Sequence, residues 1–86
     1  MTPAYRVFIA IDVIAALRSS RGADKRAITR LFDELADNPF RSGDYVERDE
    51  TGRLVQVLIF GRRAVCFWAD HAVKEVKILE LRATGN

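Results

Sequence analysis

Apolar positions in this chain follow two different periods. From Asp24 to Asp37 they repeat at helical spacing. Ile28, Leu31, Phe32 and Leu35 stand at i, i+3, i+4 and i+7, with Lys25, Arg26, Arg30, Asp33, Glu34 and Asp37 around them. This predicts an amphipathic helix with one buried stripe, ended by Pro39 because proline pushes the preceding residue out of the helical region. Upstream, Tyr5 to Ala10 (YRVFIA) is rich in β-formers and predicts a strand. Asp12 is placed to cap a short helix, Val13 to Ser19, closed by Gly22. The two helices then form a hairpin joined at Arg21 to Ala23.

Beyond Gly43 the period becomes two. Asp44 to Glu50, Arg53 to Phe60, Arg63 to Ala69 and Val73 to Leu81 read as strands, separated by turns at Thr51-Gly52, Gly61-Arg62 and Asp70 to Ala72. In the last run Val76 and Ile78 share one phase and Leu79 and Leu81 the other, which predicts a bulge or a late break. Two-residue loops would pair Glu50 with Arg53 and Phe60 with Arg63. Val46, Val55, Val57, Ile59, Ala64, Cys66 and Trp68 then share the face expected under the helices. Tyr45, Glu47, Gln56, Leu58, Phe60, Arg63, Val65 and Phe67 share the other, a mixed polar and apolar surface expected to bind a partner. The expected fold is α+β: an N-terminal strand, a helical hairpin and a four-stranded antiparallel meander, with the helices on one sheet face.

Composition narrows the class. Eighty-six residues, 49% of them hydrophobic, suit a single domain over 1–86 with one core. The single cysteine, Cys66, permits no internal disulfide and reads as an inert core thiol, and no cysteine and histidine spacing resembles a zinc site. Neither metal nor cofactor is expected, and a reducing cytoplasm fits best. The apolar run Val7 to Leu17 is broken by Asp12 and lacks a cleavage-like site, so neither a signal peptide nor a membrane span is expected. Net charge is +2, and eleven of the fourteen cations are arginine. Its planar fork suits phosphates and carboxylates, which points to nucleic acid or an acidic protein.

Several residues are candidates for chemistry. Arg63, on the uncovered face in this register, would stabilise a scissile phosphate; the alternative is a solvated turn arginine. Glu47, opposite Gln56, would take a proton from a ribose 2′-hydroxyl, or else form an ordinary cross-strand polar pair. His71, the only histidine, would act as a general acid beside Asp70, or simply be a turn residue. Trp68 and Phe67 would stack bases, although the predicted face assigns Trp68 to the core. Leu58, Phe60 and Phe67 would form a groove for a partner's apolar helix. Arg18, Arg21, Lys25, Arg26 and Arg30 would meet phosphates, or be the solvated side of the hairpin.

The order of elements, with LFDELADNPF as a second helix ending in Asn-Pro and GRRAVCFWADHAVKEVKILEL as a later strand pair, resembles the RelE/ParE superfamily of bacterial toxins from type II toxin-antitoxin systems. Gly61, Arg62, Arg63, Ala64 and Val65 match the Gly-x-Arg-apolar-apolar pattern of the RelE branch. The resemblance implies a ribosome-dependent mRNA interferase that cleaves, without metal, by 2′-hydroxyl attack. Its alternatives are a ParE-like protein that poisons DNA gyrase and a non-toxic partner-binding homologue. It aligns Arg63 with the branch's phosphate-stabilising arginine and puts Arg82 in the place of a C-terminal arginine; with Glu47 or His71 for proton transfer from the reading of the residues above, the expected catalytic residues are Arg63, Glu47, His71 and Arg82. Arg53, Gln56, Arg62 and Tyr45 would contact RNA, and Leu58, Phe60, Val65 and Phe67 a partner. The implied partners are a cognate antitoxin, the ribosome with its mRNA, and a second copy in a homodimer. Two departures stand out: Leu54, Gln56 and Leu58 replace the branch's paired lysines, and only Arg82, Ala83, Thr84, Gly85 and Asn86 follow the last predicted strand, without a terminal tyrosine or histidine.

Overall fold

The computed structural model describes residues 4–84, so Gly85 and Asn86 lie outside the described residues. In chain order it contains β1 (Arg6–Ile9), α1 (Ile11–Arg18), α2 (Gly22–Asp37), β2 (Tyr45–Arg48), β3 (Leu54–Phe60), β4 (Arg63–Asp70) and β5 (Glu75–Ala83). The strands form one sheet in the order β1-β5-β4-β3-β2. The antiparallel meander from β2 to β5 is as expected, and β1 joins it parallel to β5. The helical hairpin carries the chain from β1 at one edge to β2 at the other. No described helix is long and apolar enough to cross a membrane.

The helix ends differ from expectation. Ala10, in an extended conformation, takes the N-cap position, and Asp12 lies inside the first turn. There its charge favours the positive end of the helix dipole without capping it. Gly22 opens α2 instead of closing α1. The Ser19 and Ser20 hydroxyls each donate to the Ala16 carbonyl at 2.9 Å, so α1 ends on serine side chains that satisfy its free acceptor.

The stripe on α2 is buried as predicted. Ile28, Leu31, Phe32 and Leu35 join Val13 of α1 and Leu58, Val65, Phe67, Val76 and Ile78 of the sheet in one core. The sheet therefore covers the face opposite to the one expected. The cause is β5. One phase of this strand is charged, with Glu75, Lys77, Glu80 and Arg82 paired against Asp70, Trp68, Cys66 and Ala64. The other carries Val76 and Ile78, paired with Val7 and Ile9 of β1. The helices pack over β1 and β5, and only the apolar phase can lie beneath them without burying unpaired charge. Directly paired residues share a face, so Phe67 follows Ile78, Val65 follows Leu81, and Leu58 follows Val65.

Local geometry sets the rest of the register. Cys66 pairs with Glu80 but Phe67 pairs with Ile78, leaving Leu79 as the extra residue of the expected bulge. Phe60 pairs with Arg63 across Gly61-Arg62, also as expected. The first hairpin is one residue out. Asp49 donates its backbone N–H to the Arg53 carbonyl at 2.9 Å, Gly52 donates to the Asp49 carbonyl at 3.0 Å, and Gly52 has φ +85. These contacts define a three-residue loop, Glu50-Thr51-Gly52, with glycine in the left-handed position such loops require. The Asp49 carboxylate locks it, accepting from Thr51 N, Thr51 Oγ1 and Arg53 N at 2.9, 2.6 and 3.0 Å. Glu47 therefore pairs with Val55 and not with Gln56. The last turn is also longer than expected: Asp70 pairs with Glu75 across residues 71–74.

The face assignment is testable. Leu58 is 7% exposed and its neighbour Ile59 43%. Leu58→Ala should cost about 2–5 kcal/mol in urea unfolding, and Ile59→Ala roughly 1 kcal/mol or less. The reverse order would restore the opposite face.

Candidate active site on the open sheet face

The face turned away from the helices carries Glu47 from β2, Val55 and Val57 from β3, Ala64, Cys66 and Trp68 from β4, and Lys77, Glu80 and Arg82 from β5. At its centre Arg82 and Glu47 form a two-point pair. Arg82 Nη1 donates to Glu47 Oε2 at 3.1 Å and Nη2 to Oε1 at 2.7 Å. Arg82 Nε and Nη2 also donate to Glu80 Oε2 at 3.3 and 3.1 Å. The three-residue loop places Glu47 here, and the bulge sets the spacing of Glu80. The guanidinium beside Glu47 holds its carboxyl below the ordinary value. The same hydrogen bonds, to Glu47 first and then to Glu80, drive the arginine upward.

Cys66 lies beneath this cluster, buried beside Val57 and Ala64. Burial pushes its thiol up to about 11. The surrounding cleft, of about 660 Å³, contains Asp12, Glu47, Asp49, Glu50 and Glu80 against Arg48 and Arg82. Carboxylates outnumber cations there, so the cleft alone does not attract a free polyanion. Further along the face, Arg53 lies 4.2 Å and Lys77 5.2 Å from the centre of the Trp68 ring. Trp68 is thus on the open face under two cations, and not in the core beneath the helices.

The other candidates are dispersed. Arg63 sits on the covered side at the end of the sheet, where Nη2 donates to Ser20 Oγ at 3.3 Å. Arg62 is exposed in the adjoining turn. Gln56 also faces the covered side and accepts from Gly43 N at 2.8 Å. Tyr45 is on the open face opposite Val57, at the edge strand. His71 belongs to an aromatic cluster, with Nδ1 2.7 Å from the Tyr5 hydroxyl and Phe40 stacked on its ring at 4.7 Å. Leu58, Val65 and Phe67 are core residues and offer no surface to a partner. Phe60 is half-buried beside α2.

Sequence reasoning named Glu47 and Arg82 separately and missed both their contact and Glu80. The available signal was the two-residue spacing of Glu80 and Arg82, which puts both on one strand face. The Arg53-Trp68-Lys77 stack was also missed, because Trp68 was assigned inward.

These features define a small α+β domain whose five-stranded sheet bears helices on one face and an arginine-carboxylate centre on the other. No family model matches the chain, and no curated protein matches it in sequence. Solved structures do match. A chain of the archaeal RelE-RelB complex from Pyrococcus horikoshii OT3 superposes with a TM-score of 0.79 at 24% identity, covering 96% of this chain and 98% of that one. A chain of the toxin-antitoxin complex RelBE2 from Mycobacterium tuberculosis gives 0.75 at 20% identity, covering 95% and 99%. The chain has the RelE-like fold along nearly its whole length.

Burial and a raised thiol pKa make Cys66 inert. With so little thiolate, its alkylation by iodoacetamide in mildly alkaline buffer should be roughly a hundredfold slower than that of a free thiol, and urea unfolding should restore the ordinary rate. Equal rates folded and unfolded would place Cys66 outside the sheet interior.

Proposed function

We propose that this chain is the toxin of a toxin-antitoxin pair, held by a cognate antitoxin, and that it cleaves mRNA on the ribosome with Glu47 and Arg82 as its reaction centre. The toxin role and the antitoxin partner are supported by the RelE-like fold shared with chains of two such complexes. The observation that carries the chemistry is the two-point pairing of Arg82 with Glu47 on the uncovered face.

At rest Arg82 keeps Glu47 ionised but a weak base. A phosphodiester entering the fork takes the donors that Glu47 held, since a phosphate accepts the same two-point geometry. Glu80 keeps hold of the arginine through Nε and Nη2. Freed of its donors, Glu47 returns towards ordinary basicity and accepts the ribose 2′-hydroxyl proton. The 2′-oxygen bonds to phosphorus as the bond to the 5′-oxygen breaks, leaving a 2′,3′-cyclic phosphate. Solvent protonates the departing 5′-oxygen and later removes the proton from Glu47. Arg82 stabilises the charge that builds on the phosphoryl oxygens. The acidic surroundings of the pair favour an RNA presented by a larger body over free RNA, which supports the ribosome as the place of action.

In a translation extract, new mRNA 5′ ends should appear inside translated codons. Glu47→Gln should lower their rate by about 10²–10⁴-fold, and the same RNA without ribosomes should stay intact. The Arg82 hydrogen bonds hold Glu47 below its ordinary value in the free protein, and loss of those donors to a bound phosphate moves it back upward. The acid limb of kcat should therefore lie at higher pH than that of kcat/KM. Growth arrest with intact mRNA would contradict cleavage and favour a non-enzymatic toxin of the gyrase-binding kind.

A further inference from the structure

The proposed chemistry leaves unused the free edge of β2. This strand is bonded to β3 alone, so the sheet ends on its backbone. Asp49 and Arg53 form a bonded pair at the hairpin end. In the antiparallel alternation Glu47 and Tyr45 therefore also turn their backbone groups toward β3, opposite Val55 and Val57. Val46 and Arg48 turn theirs outward, where an unpaired row is a template for a further strand. Just before the strand Asp44 gives its N–H inward, to the Val57 carbonyl at 2.7 Å, and its carboxylate accepts from Ile59 N at 2.6 Å. The open edge is thus centred on Val46.

The side chains beside this edge are bare as well. The helices pack over β1 and β5, and at the far end of the sheet Val46 is 49% and Leu54 54% exposed. Leu54 pairs with Arg48, which puts it on the same sheet face as Val46. Phe40, also exposed, shares a cleft with Leu54. An apolar strip along an unpaired edge is suited to strand addition. Asp44 and Arg48 flank Val46 two residues away on either side, and neither is in an ion pair among the described residues. Arg48 Nη1 donates to the Gly52 carbonyl at 2.8 Å, which leaves the rest of its fork to a partner.

We infer that β2 pairs antiparallel with β2 of a second copy about a two-fold axis at Val46, so that one sheet runs through a homodimer. Val46 then faces Val46 and exchanges both backbone bonds, Asp44 of each copy stands beside Arg48 of the other, and Tyr45 stands opposite Glu47. The charges select this register. An axis at Glu47 or at Arg48 would set like charges face to face, and one at Tyr45 would oppose Val46 to Asp44, whose N–H is already given to Val57. Because the edge complements itself in sign, a second copy fits it better than a foreign strand. The pairing also reaches the open face. Tyr45 of one copy comes alongside Glu47 of the other, on the side away from Arg82, so each copy supplies one wall of its neighbour's cleft. The inference goes beyond the proposed cleavage and does not require it.

The test is analytical ultracentrifugation of the purified chain over a wide concentration range. Wild type should reach the mass of two chains at the upper end. Arg48→Glu sets a carboxylate beside Asp44 at both ends of the interface and should weaken self-association roughly tenfold or more; Asp44→Arg should do the same with two cations. An equimolar mixture of these two variants restores both opposite-charge contacts and should associate as wild type does. Val46→Lys, at a half-exposed position outside the core, should be monomeric with an unchanged urea midpoint, which separates loss of the interface from misfolding. The mass of one chain at every wild-type concentration would overturn the inference and leave the edge to a different chain. So would undiminished association by Val46→Lys or Arg48→Glu, or a mixture that stays monomeric although both of its variants keep the wild-type urea midpoint.

Discussion

The charged phase of β5 is the constraint on which this structure rests. Glu75, Lys77, Glu80 and Arg82 alternate with Val76, Ile78 and Leu81, with the bulge at Leu79 preserving the alternation on either side. Burying the first set under a helix would strand several charges away from water, at a cost no single hydrophobic contact repays. The helices therefore cover the second set, and β4 and β3 follow by direct pairing. The arginine-carboxylate centre is a consequence of that choice, because the strand phase that cannot be buried is the one that lines the open face.

Turn chemistry then decides which residue meets Arg82. Were the first hairpin closed by Thr51-Gly52 alone, Glu47 would leave the Val55 face and point to the covered side. Asp49 prevents this. Its carboxylate collects three donors from the loop, and its own pKa is lowered chiefly by the Thr51 hydroxyl. A short polar loop thus sets the Glu47-Arg82 geometry at a distance, through register alone.

Much of the fold was legible in the residues. The stripe on α2, the Pro39 stop, the Gly61-Arg62 hairpin and the slip in β5 each have a local cause that a pattern can show. The face assignment failed because β3 and β4 are apolar in both phases, so the deciding information lay one strand away, in the charges of β5. Pairing residues of one strand at a time does not reveal it. For the same reason Arg63 was placed on the open face and Trp68 beneath the helices, both the reverse of what the sheet does. The site was half legible: Glu47 and Arg82 are visible as residue types, while their contact depends on a loop one residue longer than the shortest reading.

The pairing of Glu47 with Arg82 is the central claim, and the most direct test is a ¹³C NMR titration of the Glu47 side-chain carboxyl in the wild type and in Arg82→Gln. Arg82 favours the ionised form, so the pair's contribution is present above the ordinary carboxylate pKa and is lost as pH falls through the depressed one. The wild-type midpoint should lie below the ordinary glutamate value of about 4.3 and move up towards it in Arg82→Gln. An ordinary midpoint in the wild type, or one unmoved by the substitution, would mean that Glu47 does not face Arg82 and that the register placing it there is wrong.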